Sequence, residues 1–271
     1  GLDLSGRFSL HATNETFSYD RGGNRTGSSL EIAIDDARRD DWGAFATVQR
    51  RVGGVALAAG LRGDRVATRN TGGAFGSRSS ARGALSAFAA GTIALAPFLE
   101  ATVQVARGFR APLLSDLYYR GISGRGFITG NPDLDSESSN QLDLALRWHR
   151  GSASLAGYAY RYRIEDMIER YRSGNDYFFR NRGEGVISGF ELEGGVRLSR
   201  SVALSLGGQW LRGEVRDDGA PLDDIPPLGV TASLRGEAGE RLWWRIRAAA
   251  YARDERPGVQ QRRDRRGGPR L

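Results

Sequence analysis

The strongest constraint in this sequence is a two-residue alternation of apolar and polar side chains that recurs along most of the chain. A period of two places alternate side chains on opposite faces of a β-strand. In 241–253 one face carries Leu242, Trp244, Ile246, Ala248, Ala250 and Ala252, and the other Trp243, Arg245, Arg247 and Tyr251. In 188–198 Phe190, Leu192, Val196 and Leu198 oppose Glu191, Glu193 and Arg197. In 141–149 Leu142, Leu144, Leu146 and Trp148 oppose Gln141, Asp143, Arg147 and His149. In 99–109 Leu99, Ala101, Val103, Val105 and Phe109 oppose Glu100, Thr102 and Gln104. In 155–165 the alternation is read with Tyr158, Tyr160, Tyr162 and Ile164 as the apolar face, against Arg161, Arg163 and Glu165.

These strands run about 10–15 residues, whereas strands of soluble proteins average about 5–6. The links between them alternate in length. Short turns are expected near 52–54, 91–96, 150–152, 199–201 and 238–240, and long polar links near 69–80, 108–137, 172–176 and 213–222. Long strands with short turns at one end and long loops at the other are the layout of an outer-membrane barrel. Trp148, Trp210, Trp243 and Trp244 lie near strand ends, where interfacial girdles sit. About eleven membrane-length strands are expected between Gly1 and Arg253, with 17–34 adding a hairpin within a long loop.

The composition fits this layout. The chain of 271 residues contains no run of 18 apolar residues, so a transmembrane helix is not available, but a barrel strand needs only every second residue to face lipid. Cysteine is absent, which excludes disulfides, thiolate metal sites and thiol nucleophiles. The net charge of +7 comes from arginine alone, since no lysine is present. The arginines are scattered through the strands rather than gathered into a nucleic-acid patch. Their densest run, Arg262 to Arg266, reads as part of a polar tail over 254–271 that follows a barrel region over 1–253.

The expected odd strand count cannot close a typical bacterial barrel, and residues 256–271 supply no closing strand. Gly1-Leu2-Asp3 has neither a basic start nor an apolar stretch, so no signal peptide is read there. The expectation is a chain cut at both ends.

Ordered motifs then add a family. Arg107-Gly108-Phe109-Arg110-Ala111-Pro112, followed by Leu114-Ser115-Asp116-Leu117-Tyr118, resembles the strand end that opens an extracellular loop in TonB-dependent receptors. Asn131-Pro132-Asp133-Leu134-Asp135-Ser136-Glu137 is similar to the motif closing that loop, with Ser136 where the family usually has proline. Gly60-Leu61-Arg62-Gly63-Asp64, Arg180-Asn181 with Gly189 to Glu193, and Asp224 to Leu228 resemble further family segments in the same order, covering about 42–253. The resemblance implies a barrel of about 22 strands with an N-terminal plug, of which this chain would lack the plug, about eight leading strands and roughly three closing ones.

Enzyme chemistry finds little support. His11 and His149 are far apart in sequence, and neither a catalytic residue, a cofactor nor a metal site is assigned. Gly121 to Gly126 imitates a phosphate-binding loop but lacks a strand–turn–helix setting. Asp133, Asp135 and Glu137 lack the spacing of a calcium loop and read as a loop anchor. Glu165, Asp166 and Glu169, beside Arg163 and Arg170, read as a charge-paired strand end. Arg161, Arg163, Arg197, Arg245 and Arg247 are expected in the lumen, paired with carboxylates.

The link 110–131 carries Tyr118, Tyr119, Arg120, Arg125 and Phe127. By the family resemblance such a loop faces outside and helps capture ligand. Arginine and tyrosine there suit an anionic or catecholate-bearing iron chelate. Packing over the barrel mouth is the plainer role open to the same residues. The expected protein is an outer-membrane receptor of a Gram-negative bacterium. It would contact outer-membrane lipid, a small ligand such as a ferric siderophore, and an inner-membrane energy-coupling complex through a plug absent here. A passive porin, a soluble β-rich domain and a receptor fragment without activity of its own are the alternatives.

Overall fold

The computed structural model describes residues 2–3, 7–20, 22–124, 126–239 and 242–253. The tail over 254–271, with its arginine run, lies outside the described residues.

The strands are β1 (Leu2–Asp3), β2 (Arg7–Tyr19), β3 (Arg25–Val52), β4 (Val55–Asn70), β5 (Arg78–Ala96) and β6 (Leu99–Arg110). After them come a short helix α1 (Leu114–Tyr118), β7 (Arg120–Ser123), β8 (Gly126–Thr129), β9 (Glu137–Arg150) and β10 (Ala153–Ser173). The series ends with β11 (Asp176–Arg197), β12 (Val202–Val215), β13 (Gly229–Ala238) and β14 (Leu242–Tyr251). All belong to one 14-stranded sheet, whose path runs β1-β3-β4-β5-β6-β9-β10-β11-β12-β13-β14. Neighbours along this path pair antiparallel. Strand β2 follows β1 along the same neighbour, β3, and makes with it the hairpin expected around 17–34.

An antiparallel register puts directly paired residues on the same face. Leu57, Gly91, Val103, Leu144, Ala159, Phe190 and Trp210 therefore form one continuous row. Its large members stay exposed, Val103 at 49%, Leu144 at 44% and Trp210 at 47%. So do Val48, Leu61, Leu142, Leu146, Leu192, Val230 and Ile246, all on that same face. Exposed apolar side chains on this scale require a lipid solvent.

The opposite face is polar. Gln104, Asp143 and Tyr160 form one of its rows. The Tyr160 hydroxyl donates to Glu191 at 3.1 Å and the Tyr162 hydroxyl to Asp143 at 3.0 Å, with the two rings stacked 5.0 Å apart. Gly189 makes room for this, since a Cβ there would lie 2.3 Å from the Tyr160 ring.

This register corrects the reading of 155–165. Tyr158 pairs with Glu191, so the tyrosines face the lumen. Arg161 pairs with Leu142 and Ser188, which puts Arg161 and Arg163 on the lipid side. Tyrosine carries an apolar body and a polar tip, so it does not mark a face by itself. The neighbouring strands decide.

The two ends of the sheet differ as expected. Strand connections at 53–54, 97–98, 151–152 and 198–201, with the one that follows Ala238, gather at one end, and the links between β4 and β5, β6 and β9, and β12 and β13 at the other. Two details change. Residues 91–96 lie inside β5, and the turn falls at Pro97-Phe98, where proline lacks the N–H a ladder needs. Residues 172–176 hold only a two-residue turn, with Gly174 at φ 65°. The length sits instead in β10 and β11, 21 and 22 residues long. At about 3.3 Å per residue they reach roughly 70 Å, over twice a hydrocarbon core of about 30 Å.

Candidate ligand-facing site

The link 111–136 opens at Arg110, whose Nε donates to Glu137 Oε2 at 2.5 Å and ties its two ends together. Asp116 Oδ2 accepts from the Leu113 amide at 3.0 Å and lies 3.4 Å from Arg110 Nη1, which fixes the start of α1. That helix lays Leu114, Leu117 and Tyr118 on Ile34 and Ala37 of β3, with Leu134 closing the cluster. Each large apolar side chain so buried contributes about 1.5–3 kcal/mol.

Two asparagines fasten the link to the projecting hairpin. Asn131 Nδ2 donates to the Phe179 carbonyl at 3.1 Å. Asn181 Nδ2 donates to the Asp135 carbonyl at 3.1 Å and the Asp166 carbonyl at 2.7 Å, while its Oδ1 accepts from the Asp135 amide at 2.8 Å. Strand β8 adds parallel to the outer end of β11, pairing Ile128 with Tyr177. The residues 133–137 thus hold the link down. Among the described residues no group of three His, Asp or Glu side chains is arranged to hold a metal.

The five residues expected at the ligand surface separate. Tyr118 is 3% exposed, its hydroxyl 3.4 Å from Thr68 Oγ1 and its ring edge-on to Phe75. Tyr119 is half-buried and lines a cleft, with its hydroxyl donating to the Ile122 carbonyl at 2.9 Å. Arg120 is exposed, its guanidinium 6.0 Å from the Phe127 ring across the β7–β8 hairpin. Arg125 lies outside the described residues. The Gly121–Gly126 segment is that hairpin, pairing Ile122 with Phe127.

The cleft has a volume of about 690 Å³. The link supplies Asp116 and Tyr119, β10 supplies Met167 and Glu169, β11 supplies Arg182, and the next link supplies Asp223 and Asp224. Arg182 Nη1 donates to Glu169 at 2.7 Å and its Nη2 to Asp218 at 2.6 Å, while Arg180 reaches Glu169 at 3.0 Å. The Ala220 amide and Arg182 hold the Asp218 carboxyl below the usual carboxylate range. The carboxylates of 165–169 divide: Glu165 meets Arg163, and Glu169 meets Arg180 and Arg182. Met167, Arg182 and the 222–225 stretch are cleft residues that sequence reasoning missed. The Asp-Ile-Pro-Pro motif at 224–227 was their one visible signal.

Comparison with known proteins follows the same lines. A family model described as TonB dependent receptor-like, beta-barrel, matches residues 1–268. The chain is 27% identical over 185 residues to the ferric enterobactin receptor PirA of Pseudomonas aeruginosa, covering 60% of this chain and 25% of that protein. It is 26% identical over 151 residues to the vitamin B12 transporter BtuB of Vibrio vulnificus, covering 56% and 22%. The chain thus spans about a quarter of the curated relatives it matches. Among solved structures, the copper transporter OprC superposes with a TM-score of 0.74 at 21% identity, over 93% of this chain and 40% of that one. The siderophore receptor PirA superposes at 0.58 with 15% identity, over 83% and 48%.

Proposed function

The chain belongs to the TonB-dependent receptor β-barrel family of the Gram-negative outer membrane, and from that premise we propose that it serves energy-coupled uptake of a scarce small ligand, of the ferric siderophore class. The family is one of receptors and transporters, and we read no enzymatic activity in this chain. The observation that carries the reading is the packed link over the long-loop end of the sheet, where Tyr119 lines an open cleft and Arg120 lies over Phe127 on the adjoining β7–β8 hairpin. An arginine beside aromatic rings suits the delocalised negative charge of a catecholate chelate. Arg125 belongs to the same proposal by its place in the sequence. Tyr118 supports the surface from below, as a buried strut rather than a contact. The ligand of the PirA relatives is consistent with this class. Coupling to the inner-membrane complex would pass through a plug domain.

The test uses the intact protein in cells starved of iron. Growth on a ferric catecholate as sole iron source should depend on it, stop when the proton gradient is collapsed, and fall about tenfold or more in the R120A/F127A variant, the scale of losing contacts worth about 1.4 kcal/mol. Uptake that persists without the gradient would identify a passive pore. Uptake indifferent to both substitutions would remove the loop from the ligand path.

A further inference from the structure

One stretch of the lipid-facing wall is hollow. Two outward rows cross β3 to β6 there: Arg50, Leu57, Gly91 and Val103, then Val48, Ala59, Ala89 and Val105. Further along, on β9, β11 and β12, the same rows are filled by Leu142, Leu144, Phe190 and Trp210. The result is a trough of about 550 Å³, floored by Ala59, Ala89 and Gly91 and walled by Val48, Leu57, Val103 and Val105. Among the described residues Arg50 is the one charge on its lining.

Neither backbone conformation nor packing forces the hollow. Gly91 has no left-handed φ, and a Cβ there would sit 3.6 Å from Leu57 Cδ2, an ordinary contact. The lumen glycines Gly60 and Gly189 differ, since they make room for the rings of Phe88 and Tyr160. A glycine inside a strand weakens it and often marks a place where another group approaches closely. On the lipid side of Gly91 that group comes from the bilayer. Arg50 lies two residues before the end of β3, at the short-turn end that faces the periplasm. It is exposed, its outward neighbours Val48, Val52 and Leu57 are apolar, and among the described residues it makes no hydrogen bond, ion pair or ring contact.

We propose that this trough seats one anionic glycerophospholipid of the inner leaflet, with its phosphate on Arg50 and an acyl chain lying over Gly91, Ala89 and Ala59. A long arginine side chain keeps its head at the interface while its stem rests on apolar surface. Its planar fork matches phosphate oxygens. From Arg50 the trough leads away from the turn toward the middle of the bilayer, the course that an acyl chain takes. A second copy meeting this face with its own would bring another Arg50, cation against cation. The inference is independent of which ligand crosses the barrel.

The experiment uses the intact protein, delipidated in neutral detergent, with added lipid read by native mass spectrometry. Probes are phosphatidylglycerol, phosphatidylcholine with the same chains, and inorganic phosphate. Wild type should hold phosphatidylglycerol about tenfold or more tightly than R50Q, the scale of a lost forked charge-assisted contact. A89L/G91L should weaken it by a similar factor, because the chain loses its seat while Arg50 remains. A159L, which enlarges a small outward residue on β10, should bind like wild type. Undiminished binding by either R50Q or A89L/G91L would overturn the proposal, as would an equal loss in A159L. Equal affinity for phosphatidylcholine or for inorganic phosphate would overturn it as well. A two-chain mass that A89L/G91L abolishes would put a second copy in the trough instead. Should A89L/G91L fail to assemble, A59L fills the floor from β4, and wild-type binding there would overturn the proposal equally.

Discussion

At the scale of single residues, the link 111–136 is held by a few close approaches. The Gly130 amide donates to the Tyr119 carbonyl at 2.6 Å, and a Cβ at Gly130 would lie 2.7 Å from the Leu117 carbonyl oxygen and 3.0 Å from that of Asp116. Both are backbone atoms that cannot swing aside. Gly130→Ala should cost about 1–3 kcal/mol of local stability, as overpacking does, and should show as faster proteolysis within 111–136. Unchanged cleavage would mean that α1 can shift freely. Asp218 gives a pH dependence. Its folded carboxyl titrates below its unfolded value of about 3.9, so the tie to Arg182 is complete above that pH and is lost as pH falls through the lowered folded value. Amide exchange at 216–220 should accelerate on acidification in that window, and Asp218→Asn should flatten the response. Tyr118 and Tyr119 show what the sequence withholds at this scale. Two identical adjacent letters end one turn of helix, and only the packing against Ile34 and Leu134 sends the first inward and leaves the second at the cleft.

At the scale of elements, the strands were legible wherever leucine and valine marked a face. The series Leu142, Leu144, Leu146, Trp148 gave the correct outward side. The tyrosine strand was read inside out, because its polarity is set by Asp143 and Glu191 on its neighbours, and pairing is not written in one strand. The proline turn at 97–98 shifted a boundary, and the expected long link at 172–176 became strand, since a hairpin can project as paired backbone without hydrophobic patterning. The role of Asn181 was visible only as part of a motif. Its three hydrogen bonds to Asp135 and Asp166 contribute about 0.5–1.5 kcal/mol each. Asn181→Ala should therefore raise amide exchange across 134–137 by about tenfold or more, on the usual 1.4 kcal/mol per decade. Exchange at the wild-type rate would show that Asn131 and β8 suffice to hold the link.

At the scale of the whole molecule, the two faces of the sheet make opposite demands on a substitution. Leu144 lies in the middle of the outward apolar row and Ala145 beside it on the lumen side. Leu144→Arg should destabilise assembly by about 2–4 kcal/mol, whereas Ala145→Arg adds a charge where Arg147 and Asp143 already sit. Comparing the heat-resistant folded fraction recovered from outer membranes tests this, and equal yields would undo the assignment of faces. The architecture was readable from alternation and link length because a bilayer imposes one rule on every strand. The site was less readable, since the cleft draws on links separated by about a hundred residues of chain.

The projecting hairpin of β10 and β11 also has a meaning for the cell's exterior. Its tip, Gly174-Asn175, stands clear of the bilayer on a paired stem roughly as long again as the membrane is thick. An antibody, a phage tail fibre or a protease approaching from the medium would find that tip accessible. The same stem that gives Asn181 and β8 their footing thus also offers the exterior a paired, sequence-specific surface.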